Sequence, residues 1–531
     1  MYSLGSVATH CYFELDCLNV EINRLQKVIN DMIKHHSMLR AVILSNGKQQ
    51  ILKKVPPFIL DINDFSYFSK IEQEEALKAT RNIMSHEMLK IDKWPVFNFK
   101  ISILSATKSR LHISLDNIIL DGWSMFHILS ELKTRYDDIH FCMEIPDVSF
   151  RDYVLALEEI KKTSKYQRDK KYWMDRLDSF LEAPKFETIK LESEIEEQIF
   201  NRREKIISSS GLNRLKEIAR ENNITLTILL ITLFSETLRR HTLNDEFTLN
   251  VTRFNKEQIH PDINKIVGDF TTLTYLEIRK SAENTLLEKA KMLQKQLAED
   301  TKHNLYSAIE FGRELRIKYN NDRETLMPIV FTSGLGLSEG RKDVWMGELV
   351  YSISQTPQVW LDHQVMEMDG KLRIIWDSID EIFTTQLLDE MFKVYGDLLD
   401  AVIKDINVLF TKVNYKENKD TAIDVQKRGV LLSYQHDMVD KNVQEIYKKT
   451  EEKLDSGLLD SILEIWKEIL KVEEVRKEDN FFELGGNSLN MIQLSNILME
   501  RYSFYLELEK FMETPYVDSL VINLMNFLRT I

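Results

Sequence analysis

Hydrophobic and polar residues alternate over residues 111–116, which predicts a strand with one buried face. Asp116 ends this strand, and the dipeptide Asp121-Gly122 that comes after it is typical of a turn. Ser124 is placed to cap a helix, because apolar residues recur around it at helical spacing. These apolar residues are Trp123, Met125, Phe126, Leu129, Leu132 and Tyr136. The pattern therefore predicts a strand–loop–helix corner.

Two further helical patterns flank this corner. Residues 21–40 have the spacing of an amphipathic helix, and His35 and His36 are predicted to lie in solvent in its last turn. Residues 150–180 form a long, charged helical stretch that is predicted to bridge to a second lobe. That lobe repeats the alternation of helices and strands and ends near Phe410.

Two predicted strands of the second lobe carry polar residues of interest. Thr332 ends a predicted strand over residues 327–331, just before Ser333 and Gly334. Alternation over residues 358–364 predicts another strand, on which Gln358 and Asp362 share one face because successive side chains point to opposite sides. The pattern thus places Thr332, Gln358 and Asp362 at two strands of the second lobe.

Composition narrows the possible classes of protein. At 531 residues, the chain is too long for one ordinary domain and predicts roughly three or four compact units. The formal net charge of −14 argues against a nucleic-acid partner. Only three cysteines occur, and their spacing predicts neither a disulfide framework nor a metal site. The most hydrophobic run, residues 224–234, is broken by threonines and is too short to span a bilayer. We expect a protein of the reducing cytoplasm without a membrane partner.

Asp116, Asp121 and Ser124 resemble the DxxxxDxxS signature of heterocyclization domains of nonribosomal peptide synthetases. This signature replaces the HHxxxDG motif of ordinary condensation domains, and the stretch contains no histidine. Further motifs similar to the family follow in order: MLR at 38–40, SHEML at 85–89, Trp94-Pro95, VGDFTTL at 267–273, PIVFTSGLG at 328–336 and SQTPQVWLDHQ at 354–364. The resemblance implies an α/β heterocyclization domain over residues 1–412. Its two chloramphenicol-acetyltransferase-like lobes, about 1–175 and 176–412, would form a V with a tunnel between them.

A second signature lies near the end of the chain. Residues 479–489, DNFFELGGNSL, resemble the phosphopantetheine attachment loop of a peptidyl carrier domain, with Ser488 as the attachment site. Ser488 opens a predicted amphipathic helix, whose free amides and dipole favour a phosphate, and Gly485 and Gly486 allow a tight turn. The resemblance implies a small four-helix carrier domain over residues 457–531. Residues 413–456 are polar and weakly periodic, and we interpret them as a linker.

The resemblance also assigns roles to the candidate residues. Thr332 and Asp362 match the threonine and aspartate implicated in cyclodehydration by this family, so we expect Asp362 to transfer protons and Thr332 to position it. Gln358 is a weaker catalytic candidate. Asp116 and Asp121 are expected to be mainly structural carboxylates beside the active site. No metal is expected.

The implied reaction joins an acyl or peptidyl thioester on an upstream carrier to a carrier-bound Cys, Ser or Thr, and then closes a thiazoline or oxazoline ring. The cofactor would be 4′-phosphopantetheine, added by a phosphopantetheinyl transferase. The linker is too short for an adenylation domain, so we expect an adenylation enzyme to load the carrier in trans, and a downstream module or thioesterase to accept the product. The chain begins where such domains already have a helix and a strand behind them, which predicts a trimmed or missing N-terminal segment.

Two alternatives stay open at the level of sequence. A condensation-only enzyme would form the amide without closing the ring. A catalytically idle docking platform would use only its carrier domain.

Overall fold

A computed structural model describes residues 9–142, 144–190, 195, 198–254, 256–280, 284–319, 325–337 and 345–412, and most of residues 456–528. Within the last segment, residues 471, 473, 483, 485, 487, 503, 505, 507–510, 512 and 513 are excepted. The predicted linker over residues 413–456 therefore falls almost wholly outside the described residues.

Thirteen strands are defined in the described part of the chain. They are β1 (His10–Leu18), β2 (Ala41–Ile43), β3 (Gln49–Ile51), β4 (Asp61–Asp64), β5 (Phe97–Ile103), β6 (Lys108–Asp116), β7 (Phe200–Ile207), β8 (Phe247–Phe254), β9 (Thr271–Ile278), β10 (Ile329–Gly334), β11 (Glu348–Gln355), β12 (Leu361–Met368) and β13 (Lys371–Ile379).

The α-helices among the described residues lie between and after these strands, as the predicted α/β fold requires. They are α1 (Ile22–His35), α2 (Lys70–Met84), α3 (Gly122–Asp137), α4 (Phe150–Ile160), α5 (Ser164–Met174), α6 (Ser209–Glu221), α7 (Leu226–Arg239), α8 (Leu286–Lys302), α9 (Ala308–Tyr319), α10 (Thr385–Lys404), α11 (Ser456–Leu470), α12 (Ser488–Tyr502) and α13 (Val517–Leu528).

Contacts divide the chain into two compact units. The first comprises Met1–Ile207, Phe247–Glu277 and His303–Phe392, and the second comprises Ser208–Glu246, Ile278–Lys302 and Lys393–Ile531. The first unit contains the two large sheets. In the second unit, α7 packs against α6 and α8, and Glu236 accepts a buried hydrogen bond of 3.0 Å from Lys289.

The first large sheet has the strand order β11-β1-β6-β5-β4. β6 ends at Asp116, which confirms the predicted end of this strand. Helix α1 also forms, but it ends at His35 rather than at the predicted residue 40, and residues 37–40 are a 3-10 helix. Its five buried residues are apolar and lie at helical spacing: Leu25, Val28, Ile29, Met32 and Ile33. His36 at its C-cap is buried and pairs with Glu131 at 2.5 Å, so the solvated turn predicted for His35 and His36 is wrong for His36.

The second large sheet has the order β7-β13-β12-β10-β8-β9. β10 is parallel to both β8 and β12, whereas β12, β13 and β7 pair antiparallel. The edge strand β11 of the first sheet comes from the half of the chain predicted for the second lobe, and it pairs with β1 from His10↔Gln355 to Asp16↔Glu348. The first sheet therefore contains a strand from the part of the chain after residue 175.

The bridging stretch over residues 150–180 is two helices rather than one. α4 ends at Ile160, and Thr163 caps α5 by accepting a hydrogen bond from the Tyr166 N–H. Ser, Thr and Asp side chains at such positions satisfy amides that have no partner within the helix, so the new cap marks a new start.

Helices α11, α12 and α13 pack around one apolar core near the end of the chain. Trp466 on α11 is fully buried there and lies edge-on to Phe481, with ring centroids 4.9 Å apart. The described residues of this domain define three α-helices, and they do not test the predicted fourth one.

Candidate active site

The corner between β6 and α3 forms as predicted, but its cap is a different residue. Asp121, not Ser124, is the N-cap of α3, and its Oδ1 accepts the Ser124 N–H at 2.7 Å. Aspartate suits this position because it satisfies an amide that the helix itself leaves unpaired. The prediction that Ser124 caps the helix is therefore wrong by three residues.

Asp121 and Ser124 instead join the corner to the loop before β9. Asp121 Oδ2 accepts the Phe270 N–H at 3.2 Å. The Ser124 hydroxyl lies 2.9 Å from the Gly268 carbonyl oxygen and 3.1 Å from the Gly268 N–H. The DxxxxDxxS and VGDFTTL motifs, which are far apart in sequence, are thus hydrogen-bonded to each other. Asp121 acts here as a structural carboxylate.

Replacing Asp121 with alanine should lower the free energy of unfolding by about 2 kcal/mol, because two buried backbone N–H groups lose their acceptor. Urea unfolding followed by near-ultraviolet circular dichroism measures the loss. An Asp121→Ser variant keeps a shorter acceptor for the Ser124 N–H and should lose less. Equal stability of wild type and Asp121→Ala would contradict the structural role.

Asp116 is buried at the end of β6, with 1% of its surface exposed. Its Oδ1 accepts the Ile118 N–H at 2.9 Å, and its Oδ2 has no hydrogen-bond partner within the described part of the chain. Burial raises the pKa of Asp116 to about 6, although the Ile118 hydrogen bond opposes this. No hydrogen bond found among the described residues connects Asp116 to Thr332 or Asp362.

Thr332 and Asp362 do come together, as the sequence predicted. They lie on the neighbouring parallel strands β10 and β12, and the Thr332 hydroxyl donates to Asp362 Oδ1 at 3.0 Å. The other carboxylate oxygen, Oδ2, accepts from the Gln364 side-chain amide at 2.8 Å. Thr252 on β8 lies beyond, with its hydroxyl 3.2 Å from that of Thr332. Asp362 keeps part of its surface exposed, so a substrate can approach it.

A second carboxylate lies directly opposite Asp362 on the antiparallel strand β13. This is Asp377, which is fully buried and takes two hydrogen bonds from Arg202, at 2.7 and 2.6 Å. Burial, and next the negative charge of Asp377, raise the pKa of Asp362 to about 7, against the opposing hydrogen bonds from Thr332 and Gln364. Asp362 is therefore poised to gain and lose a proton near neutral pH, as a general acid and base requires.

Gln358 is placed differently from the prediction. It lies in a turn before β12, with a φ of 67°, and β12 begins only at Leu361. The predicted shared strand face of Gln358 and Asp362 is therefore wrong, because the left-handed backbone at Gln358 breaks the alternation. The residue on the same strand face as Asp362 is Gln364, two positions later. Thr332 lies in β10, but this strand continues two residues beyond the predicted end, to Gly334.

Sequence reasoning missed Gln364, Asp377 and Arg202. Gln364 was within reach, because it is two residues after Asp362 in the SQTPQVWLDHQ motif. Asp377 and Arg202 join the site only through the β12–β13 and β13–β7 registers, Asp362↔Asp377 and Asp377↔Arg202. No local pattern in the sequence indicates those pairings.

The loop before α12 fits a phosphopantetheine arm. Ser488 is the first residue of α12, and the N-terminus of a helix is a place that favours a phosphate. Gly486 donates its N–H to the Phe481 carbonyl at 2.9 Å, and a Cβ at this glycine would lie 2.3 Å from the Phe481 ring. The loop can therefore approach the aromatic core only with glycine at this position.

Other kinds of site find no support in the part of the chain that the structure describes. It contains no group of three or more His, Cys, Asp or Glu side chains suited to a metal ion. Among the same residues, no helix has both the length and the apolar character needed to cross a membrane.

Comparison with known proteins agrees with the geometry. Residues 8–422 match the condensation domain family, and residues 460–523 match the phosphopantetheine attachment site family. Pyochelin synthetase PchF from Pseudomonas aeruginosa is 30% identical over 403 residues, which are 75% of this chain and 22% of that protein. Phenyloxazoline synthase MbtB from Mycobacterium sp. is 29% identical over 394 residues, 73% of this chain and 33% of its own.

The fold has a solved counterpart. The EpoB cyclization–docking bidomain from Sorangium cellulosum superimposes with a TM-score of 0.70 at 31% identity, covering 76% of this chain and 82% of that one. The two-lobed condensation fold inferred from the motifs is thereby confirmed. The chain spans a third or less of the length of the two synthetases, so it corresponds to a part of each.

Proposed function

Since the chain belongs to the condensation domain family of nonribosomal peptide synthetases, as a heterocyclization domain followed by a phosphopantetheine attachment domain, we propose that it forms an amide and then closes it into a ring. The acyl donor is a thioester on an upstream carrier. The acceptor is a Cys, Ser or Thr residue tethered through Ser488. The product is a thiazoline or oxazoline.

The observation that carries this proposal is the hydrogen-bonded pair of Thr332 and Asp362. Amide formation needs little from side chains, because a free amine is already a good nucleophile and the protein need only hold the reactants together. The arm on Ser488, when bound, would hold the acceptor residue as a thioester, while the acyl group is activated by its own thioester on the upstream carrier. Ring closure, in contrast, must move protons, and Asp362 is placed and poised to move them.

The proton balance of ring closure assigns a step to each group. The side-chain thiol or hydroxyl adds to the amide carbonyl carbon, and its proton passes to the carbonyl oxygen. Asp362 then donates its proton to the departing hydroxyl, which leaves as water. The resulting carboxylate takes the proton of the ring N–H as the carbon–nitrogen double bond forms. Thr332 holds Asp362 Oδ1 throughout.

Partners and boundaries follow as part of the same proposal. A phosphopantetheinyl transferase modifies Ser488, a separate adenylation enzyme loads it, and a downstream module or thioesterase takes the product. We keep residues 1–412, 413–456 and 457–531 as the heterocyclization domain, linker and carrier domain. All three cysteines, Cys11, Cys17 and Cys142, are free thiols, which fits a reducing cytoplasm.

The intact mass of the carrier-bound product tests the proposal. The chain is converted to its phosphopantetheine form, loaded with cysteine and supplied with an acyl group on a separate carrier. A condensed product lighter by one water supports ring closure. The full condensed mass would reduce the enzyme to amide formation, and no transfer from several donors would favour the docking platform.

The product ratio should also depend on pH. Asp362, with a pKa of about 7, is mostly protonated below neutral pH and mostly ionised above it. Its proton is needed for the departing hydroxyl, so the ratio of cyclised to linear product should fall as pH rises above about 7. Amide formation should instead increase with pH, because the amine loses its proton. A ratio that stays constant from pH 6 to pH 9 would contradict the role of Asp362.

A further inference from the structure

A row of polar side chains crosses the second sheet, one from each of four neighbouring strands. Arg202 on β7 contacts Asp377 on β13, which lies opposite Asp362 on β12, and Asp362 contacts Thr332 on β10. Gln364 connects the two carboxylates, because its one amide nitrogen donates to Asp362 Oδ2 at 2.8 Å and to Asp377 Oδ2 at 3.0 Å. Two carboxyl groups this close resist being ionised together.

The surroundings decide which of the two carboxyl groups holds the proton. Asp377 takes the bidentate hydrogen bonds of Arg202 and a further one from the Ser354 N–H at 3.1 Å, so its charged form is strongly stabilised. Among the described residues, Asp362 receives its side-chain hydrogen bonds from the neutral donors of Thr332 and Gln364. The shared proton therefore resides on Asp362.

Building on the proposed function, we propose that Asp377, anchored by Arg202 and coupled through Gln364, is a positioning residue that makes Asp362 the proton carrier of ring closure. Asp377 does not touch the substrate in this scheme. It acts through its charge, by making it costly for Asp362 to lose a proton.

The other groups around Asp362 do not replace this effect. β1 contributes the Cys11 thiol, which hydrogen-bonds Ser354 at 3.5 Å and whose pKa is raised to about 11, mainly by burial. A thiol with this pKa is neutral near pH 7. The positive charge of Arg202 acts to lower the pKa of Asp362, but its guanidinium is bound to Asp377. Asp377 is therefore the negative charge that faces Asp362 across the strand pair.

The pH dependence of ring closure tests the proposal. Asp377→Asn removes the anion, so Asp362 should lose its proton more easily and the pH above which ring closure fails should fall by about one unit. Gln364→Met removes a donor that stabilises ionised Asp362, so the same limit should rise. Amide formation should keep its wild-type pH profile in both variants. Shifts in opposite directions are not expected from a merely structural defect.

Two further variants guard against misfolding and general effects. Asp377→Asn leaves Arg202 buried without its partner, which is strongly destabilising, so the double variant Arg202→Gln/Asp377→Asn removes both charges together. In the double variant, the pH above which ring closure fails should still fall, since the charge of Asp377 changes the pKa of Asp362 more than the charge of Arg202 does. Asp380→Asn is the matched control, because Asp380 pairs with the neighbouring Arg203 at 2.9 Å and should leave the profile unchanged. An unchanged profile in Asp377→Asn and in the double variant would overturn the proposal.

Cys11 provides a readout that does not depend on ring closure. Asp377 raises the pKa of the Cys11 thiol, so alkylation by iodoacetamide should begin at a lower pH in Asp377→Asn than in wild type. A Cys142→Ser background removes the exposed thiol, and Cys17 is buried. If wild type closed no ring, the proposed function would fail, while a shift at Cys11 would still support the charge that Asp377 brings to Asp362. If the pH dependence of Cys11 alkylation were the same in Asp377→Asn as in wild type, the proposal that Asp377 acts through its charge would be overturned.

Discussion

An Asp362→Asn variant is expected to make the amide and then stop, so that its product is heavier than the wild-type product by one water. Asparagine keeps the shape of the side chain and can still accept the Thr332 hydroxyl, but it cannot give and take a proton. General acid–base catalysis contributes about 10²–10⁴-fold, and ring closure should slow by that factor while amide formation continues. Intact mass of the carrier-bound product, followed over time, separates the two steps.

Asp380→Asn serves as the control for this variant, because it removes another carboxylate from the same sheet region without touching Thr332 or Gln364. It should cyclise at the wild-type rate. A Thr332→Val variant should retain Asp362 but lose its hydrogen-bond donor, and its defect should be smaller than that of Asp362→Asn. If Asp362→Asn formed the ring at the wild-type rate, the carboxylate would have no part in the chemistry.

A Ser488→Ala variant should yield no tethered product, linear or cyclised. Without the hydroxyl at the start of α12, a phosphopantetheinyl transferase has no atom on which to place the arm, and no acceptor residue can be loaded. The fold itself should be unaffected, because the change removes one hydroxyl and leaves the apolar core residues Trp466, Phe481 and Leu494 in place. Intact mass should show no added phosphopantetheine.

Ser519→Ala is the matched control, since Ser519 lies in α13 of the same domain and bonds only locally to Asp518. It should be modified and loaded as wild type. If the transferase still modified Ser488→Ala, the attachment site would have to be a residue other than Ser488. Wild-type yields from unmodified Ser488→Ala would show instead that the reaction needs no arm on this carrier.

The sequence predicted those parts of the site that depend on local pattern. The period-two alternation ending at Asp116 and the apolar spacing of α1 were sufficient, because they report which face of an element is buried. The meeting of Thr332 and Asp362 was inferred from motif resemblance rather than from physics, since their strands are 30 residues apart and need a parallel register to bring them together.

Other features were not accessible in this way. Ser and Asp are both good N-caps, so choosing Asp121 over Ser124 required the backbone at the corner. The sequence pattern at Gln358 fitted an alternating strand, but the left-handed φ of this residue places it in a turn. Asp377 and Arg202 enter only through strand pairing, which one sequence does not specify. These residues are also the ones that set the charge around Asp362.

The crossover of β11 into the first sheet bears on how synthetases of this kind are recombined. A chimera that exchanges residues 176–412 for those of another enzyme would also replace the partner of β1, together with the Ser354 amide that binds Asp377. The exchanged segment would thus bring a foreign edge strand, β11, into the sheet that contains β1. Exchange boundaries that keep the span from β1 through β13 intact should preserve both the first sheet and the charges beside Asp362. Hybrids joined between the two lobes should instead need compensating changes along β1 and β11.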